Sequence, residues 1–389
     1  MVRVGLGVLA AYLIFVFYGI ITPLGGVMLM EIAGKYSVDT SVIGYILAFG
    51  IVGGAIAALS SGFLLEAIGE RNMIVLGIVT GIVAGAAITI SNYLYIFAIG
   101  MFLSGVSSWV LLAVANHIIV QCFEGAKRSS QLNLLNFFFS IGALITPALA
   151  SFMLERGIPW EAVFLTPFIP LGFLAVLAYS PAFNIAKEQK AASGIADQGA
   201  EKWNRNSYLA GVALGLYCML EISYTSWIVV HLRENLAADI VAASLVLTVF
   251  YICQAAGRFI SGFIVKQVSL PVYVISCASV GFIAAFFIVF SKSYMTVFYL
   301  TILLGLGAAS LYPSILSYGT LQVKYACPRI MTFFLTSGLV GNVLGMVLTS
   351  FLKQYLGVVA CIVTTTIASA LIIVCIGGTM LFSKAQVKH

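Results

Sequence analysis

Residues 209–230 read LAGVALGLYCMLEISYTSWIVV. This is one carboxylate, Glu221, at the centre of a run long enough to cross a bilayer as a helix, which takes about 20 predominantly apolar residues. Runs of the same kind recur throughout the 389 residues, of which 62% are hydrophobic and 8% charged. Such a composition belongs to a polytopic membrane protein. Twelve spans are expected: Gly5–Met30, Ser41–Leu65, Met73–Ile90, Tyr93–Gln121, Leu132–Leu154, Ala162–Phe183, Tyr208–His231, Ile240–Val265, Pro271–Phe290, Tyr294–Leu321, Ile330–Leu352 and Gly357–Phe382. The first is too long for a signal-peptide core and lacks a small-residue cleavage site after it. Outer-membrane strands are about 10 residues long and alternate in polarity. These runs do neither, so an inner (or plasma) membrane is expected.

With the N-terminus in the cytoplasm, thirteen Lys and Arg fall in loops or tails on that side and five on the other. That bias places both termini and the long central loop in the cytoplasm. It also accounts for the net charge of +6 without nucleic acid. The seven cysteines lie within spans or at their cytoplasmic ends and read as packing residues. Neither they nor the three histidines have metal-site spacing, so no metal and no cofactor is expected. Without a Walker loop, ATP is not the direct energy source.

The one long polar interruption, Asn184–Asn206, reads as a tether. It divides the chain into an N-terminal six-helix bundle (1–183), a linker (184–206) and a C-terminal six-helix bundle (207–389). The halves resemble each other at an offset of about 200. Ser61-Gly62-Phe63 falls on Ser261-Gly262-Phe263, Gly105 on Gly305, Ser151-Phe152 on Ser350-Phe351 and Arg128 on Arg329. A parallel duplication about an axis along the membrane normal puts a solute site between the halves near the midplane.

Titratable groups deep in the membrane are few: Glu221, Arg258 and His117. Each is costly to insert, roughly 2.5–3.5 kcal/mol for a charge at a helix centre, and should face a partner or a cavity. Helical spacing puts Tyr217, Glu221 and Thr225 on one face with Tyr224 beside them, and Trp227 is a further aromatic nearby. Thr248, Tyr251, Arg258 and Ser261 line a face of the next span, with Gln254 one turn from Arg258; a Glu221–Arg258 contact is within reach of so long a side chain. Glu221 reads as a proton-exchanging or solute-contacting carboxylate, against the alternative of a structural hydrogen bond. His117, beside Asn116, reads as polar packing or as a second proton site. Asn133, Asn136 and Ser140 form one stripe that either joins helices or binds a hydroxylated solute.

Twelve spans, a central loop and a duplication resemble the major facilitator superfamily. Gly62-Phe63-Leu64-Leu65-Glu66-Ala67-Ile68-Gly69-Glu70-Arg71 is similar to that family's loop signature G-x-L-x-D-R-x-G-R/K, with Gly62, Leu64, Gly69 and an acid at Glu66 matching but Ala67 where the family has Arg. The resemblance therefore implies a cytoplasmic gating loop with a weakened charge network. Ala113-Val114-Ala115-Asn116-His117, Ser130-Gln131-Leu132-Asn133-Leu134, Phe138-Phe139-Ser140-Ile141-Gly142, Tyr217 with Glu221, and Gly257-Arg258-Phe259-Ile260 resemble elements of the fucose/proton symporter family and its TsgA-like branch. The two acids that family uses for proton-linked sugar uptake align with Gly26 and Leu112, which leaves Glu221 as the acid to take over coupling.

The resulting expectation is an all-α membrane protein of the major facilitator fold. It would be a non-enzymatic, monomeric secondary carrier that moves a small polar solute by alternating access, with import by proton symport ahead of export. The partners expected are the solute, protons and the lipid bilayer. Arg258 suits a carboxylated solute such as an organic acid or a siderophore, and a sugar is the other class. A non-transporting receptor or assembly partner on the same fold is the alternative.

Overall fold

The computed structural model describes residues 2–123, 125–179, 204–265, 267–322 and 328–386. In these, α1 (Val2–Val27) and α2 (Leu29–Tyr36) form the first crossing, and α3 (Thr40–Ile90) the next two. α4 (Leu94–Cys122) and α5 (Gly125–Glu155) follow, and α6 (Trp160–Val163) with α7 (Phe168–Tyr179) completes the first half. The second half comprises α8 (Arg205–Leu236), α9 (Ile240–Ile264), α10 (Leu270–Phe290), α11 (Tyr294–Ala308) with α12 (Leu311–Thr320), α13 (Pro328–Leu356) and α14 (Val358–Gln386). Most of the expected linker lies outside the described residues, as does Phe183; Asn204 caps α8, accepting from the Ser207 amide.

The boundaries correct the sequence expectation in two places. The first crossing continues past Met30 to Tyr36, with a break at Met28. The second and third crossings form one 51-residue run, about 77 Å long at the helical rise and twice what a bilayer core needs. The chain reverses inside it at Gly69, whose φ of 75° and ψ of 170° are open to glycine because it has no Cβ. Both arms pack on α4: Gly50, Gly53 and Gly54 against Met101, Phe102 and Trp109, then Gly77 and Gly81 against Leu111 and Ser107. Interiors this rich in glycine and serine bring helix backbones close, which supplies association where lipid removes the hydrophobic drive.

Prolines explain other interruptions. A proline inside a helix cannot donate to the carbonyl four residues back. Pro167 and Pro170 fall at the junction of α6 and α7, where the backbone adopts i→i+3 turns (Thr166 N to Val163 O, 3.1 Å). Pro313 stands four residues after Ala309, where α11 gives way to α12.

The duplication is sharper in the backbone than in the side chains. Ser37 and Ala237, 200 apart, cap the first and seventh crossings with left-handed φ of 53° and 50°. Asp39 and Asp239 both cap the following helix. Gly157 and Gly357 turn the chain at φ 75° and 83°. Gly105 abuts Gly50, and Gly305 abuts Phe250, the same contact 200 residues later. The fold is thus two pseudo-symmetric six-helix bundles, with both termini on one face of the membrane.

The bundles meet closely at the face away from the termini. A Cβ on Gly26 would lie 2.6 Å from the Thr225 carbonyl, and one on Gly44 would strike Ser350 and Trp227. Glu31 pairs with Arg233 at 2.5 Å, the one ion pair joining the halves among the described residues. Toward the termini, Asn116, Asn136 and Phe137 are exposed. The one ion pair and the tightest glycine contacts between the halves, among the described residues, therefore lie on the face away from the termini.

Candidate functional site

Glu221 stands half-buried at the centre of α8 and faces α9. Gln254 Nε2 donates to its Oε1 at 2.6 Å and also contacts the Tyr217 hydroxyl at 3.2 Å. Gln254 and Tyr217 are almost wholly buried, so this small network is shielded on the side of the C-terminal bundle. On the other side the charge of Glu221 reaches Tyr18 of α1, Tyr251 of α9 and Tyr312 of α12. Tyr18 packs against Trp109 of α4 and Phe139 of α5, at 6.4 and 5.3 Å between ring centroids, and Tyr217 lies 6.0 Å from Tyr312. Glu221 is thus a carboxylate at the junction of the halves, ringed by aromatic groups from both.

Arg258 does not pair with Glu221. Its Nε donates to the Ala309 carbonyl at 3.1 Å, and its Nη1 reaches the Ser140 hydroxyl of the N-terminal half at 3.4 Å. It still acts on Tyr217 and Tyr251, the rings that Glu221 also acts on, so the two charges are neighbours without being partners.

His117 stands apart from Glu221. Its Nε2 lies 3.2 Å from the Glu70 carboxylate and 2.7 Å from Gln121 Nε2, at the termini-side end of α4. The hydrogen bond from His117 leads the influences that hold the Glu70 carboxyl below the usual carboxylate range, with burial opposing it. In the loop around Gly69 it is therefore Glu70 that engages α4; Gly62, Glu66 and Arg71 are exposed, and Gly69 supplies the turn.

Tyr224 also leaves the expected group. Its hydroxyl meets Thr301 at 2.5 Å and its ring packs on Phe250, inside the C-terminal bundle. Trp227 is buried and donates to Thr349 at 2.8 Å at the closed face, so it packs there rather than on a solute. Thr225 returns its hydroxyl to the Glu221 carbonyl. Asn116 and Asn136 likewise donate to carbonyls of their own helices, Leu112 and Leu132. Asn136 is one turn from Ser140, on the face of α5 turned to the second half. Asn133 lies on the same helix, with a side chain outside those described.

Several contributors escaped the sequence reading: Tyr18, Trp109, Phe139, Tyr312, Glu31, Arg233 and Glu70. Aromatic residues are frequent in this chain and carry no sign of which way they face. Gly26 explains the missing helix 1 acid, because a side chain there would collide with α8. Leu112, where the second acid would stand, is buried in the N-terminal bundle.

The sequence profile of the Major Facilitator Superfamily matches this chain twice, over residues 8–217 and 209–387. The chain belongs to that superfamily and is a membrane transporter rather than an enzyme. Within it, the chain is 24% identical over 366 residues to the "Protein TsgA homolog" of Buchnera aphidicola subsp. Acyrthosiphon pisum, covering 94% of this chain and 93% of the relative. It is 24% identical over 354 residues to that of Yersinia enterocolitica, covering 91% and 90%. These place it in the TsgA-like branch. Among solved structures, the inward-facing bacterial homologue of the human lysosomal transporter Spinster superposes with a TM-score of 0.75 at 12% identity, covering 96% and 97% of the two chains. The D-xylose–proton symporter gives 0.73 at 12% identity, covering 95% of each, and the E. coli fucose:proton symporter 0.63 at 16% identity, covering 95% and 97%.

Proposed function

We propose that this chain is a secondary active carrier that imports a small polar solute together with protons. Glu221 is the proton-exchanging group, and Arg258 is the anchor for a carboxylate on the solute. The observation that carries the reading is the Glu221–Gln254–Tyr217 network, which faces aromatic side chains of both bundles at the point where alternating access places a solute. The printed names of two structural neighbours, a xylose–proton and a fucose:proton symporter, favour import by symport. In this reading the termini lie in the cytoplasm, the cavity opens inward, and a monomer in the inner membrane suffices.

Reconstitution tests it. Proteoliposomes loaded with a pH-sensitive dye are challenged with organic acids, siderophores and sugars. One class should drive proton entry, and Glu221→Gln should abolish proton entry while sparing binding of that class. Uptake indifferent to both the pH gradient and Glu221→Gln would sink the coupling role. Binding unchanged by Arg258→Met would sink the anchor role.

A further inference from the structure

Glu221 and Arg258 carry opposite charges on adjacent helices, share the neighbours Tyr217 and Tyr251, and yet remain unpaired. Among buried groups such as Tyr217 and Gln254, attraction between such charges is strong, and long side chains within reach collapse into an ion pair unless each is held elsewhere. Both are held. Gln254 donates to Glu221 at 2.6 Å, and Arg258 is tied by its Nε to the Ala309 carbonyl at 3.1 Å.

That carbonyl is free to accept because of the residue four positions on. In an unbroken helix the amide of residue 313 would occupy it, but Pro313 has no N–H and its ring crowds that oxygen. The helix breaks there, at Ala309 and Ser310, and resumes with Ser314 donating to Ser310 at 3.0 Å. Ala309 is fully buried, so its acceptor has no water to turn to and takes the guanidinium. Gly257 permits the approach, since a Cβ there would come 2.5 Å from the Ala309 Cβ. The Gly257-Arg258 dipeptide and Pro313 thus act on one carbonyl from two helices.

We infer that Pro313, acting through the Ala309 carbonyl, and Gln254 are positioning residues that keep Arg258 and Glu221 apart, so that the solute is received between two open charges. The inference rests on the reading of those two groups as the charged pair of the site. It deepens that reading by naming what holds the site ready when empty: one tether on each charge.

The test needs no ligand. Thermal midpoints of the purified protein are measured for Glu221→Gln, Arg258→Met and their combination, in the parent, in Pro313→Ala and in Gln254→Ala. In the parent the two charge removals share neighbours, and their coupling there sets the baseline. In Pro313→Ala, where residue 313 regains an N–H for the Ala309 carbonyl, the freed guanidinium should pair with Glu221; the departure of the combined shift from the sum should then exceed the parent's by on the order of 2 °C. Gln254→Ala frees the carboxylate instead and should show the same departure with the proline intact, which keeps the test decisive if Pro313→Ala folds poorly. Hydrogen exchange adds a local readout: Arg258→Met should speed exchange at Leu311–Tyr318 in the parent and leave it unchanged in Pro313→Ala. Coupling no greater in Pro313→Ala and Gln254→Ala than in the parent overturns the inference. Because no solute or gradient enters these measurements, their failure is separable from failure of the proton-coupling reading, which the Glu221→Gln flux decides.

Discussion

Removing Arg233 should open the face away from the termini. The Arg233–Glu31 pair joins the halves at 2.5 Å, and the two side chains are 22% and 19% exposed, so solvent screens it weakly. The other oxygen of Glu31 is buried without a hydrogen-bond partner, which makes the guanidinium its main source of compensation. A hydrogen bond to a charged group contributes about 1.5–3 kcal/mol, and Arg233→Ala also strands a partly buried carboxylate while the face stays closed. On opening, Glu31 regains water, so the penalty falls on the closed form alone. A differential of about 2 kcal/mol moves the equilibrium about 30-fold toward the opposite opening. If that form makes up on the order of 1% of the parent, it should rise to about a quarter of the variant. Spin labels on Tyr93→Cys and Lys292→Cys, exposed positions at that face of the two halves, with the native cysteines replaced, read the change by pulsed electron resonance. A longer-distance population should appear in Arg233→Ala and recede in the charge swap Glu31→Arg/Arg233→Glu. An unchanged distance distribution in a folded Arg233→Ala protein would refute the reasoning.

Gly257→Ala should lower the thermal midpoint by the equivalent of about 1–3 kcal/mol, because its Cβ would meet that of Ala309 at 2.5 Å, and Ala309→Gly should restore most of the loss. Trp227→Phe keeps an aromatic ring but deletes the 2.8 Å bond to Thr349 and part of the buried indole volume, leaving a buried hydroxyl without its indole donor; a destabilisation of about 1–3 kcal/mol by denaturation is expected. Glu70 has a lowered folded-state pKa, so its contribution to stability is present above the usual carboxylate range, near pH 4.3, and is lost as the pH falls through the folded value. His117→Leu should therefore reduce the melting temperature at pH 6, and melting curves of variant and parent should converge in acid. A gap that persists at pH 3 would assign His117 a packing role instead.

Membrane spans, their number and the duplication were legible in the sequence because each rests on composition or on a fixed offset. Hydrocarbon demands some 20 apolar residues per crossing whatever their order, and a 200-residue repeat survives as a handful of short matches. The repeat in backbone geometry was not legible. Ser37 and Ala237 share a left-handed cap with no residue type in common, since local chain reversal rather than side-chain identity sets that φ.

Of the site, the sequence marked Glu221, Tyr217, Gln254 and Arg258, because a charge or amide in an apolar helix stands out at once. It did not mark how they are used. Helical periodicity places Tyr224 and Trp227 close to Glu221 in angle, yet Tyr224 bonds to Thr301 in its own bundle and Trp227 to Thr349 at the closed face. His117 drew attention as a titratable group, and its partner proved to be Glu70, 47 positions earlier in the chain.

What the sequence alone determined is the class of protein and its cast of polar groups, since the cost of burying charge in lipid acts on each residue separately. What the tertiary structure alone decided is who meets whom. Arg258 turns to an Ala309 carbonyl freed by a proline on another helix, Gly26 gives up a side chain so that α1 can touch α8, and Glu31 finds Arg233 across the two halves. Such choices depend on distances between helices, and a linear pattern of hydrophobicity carries none of them.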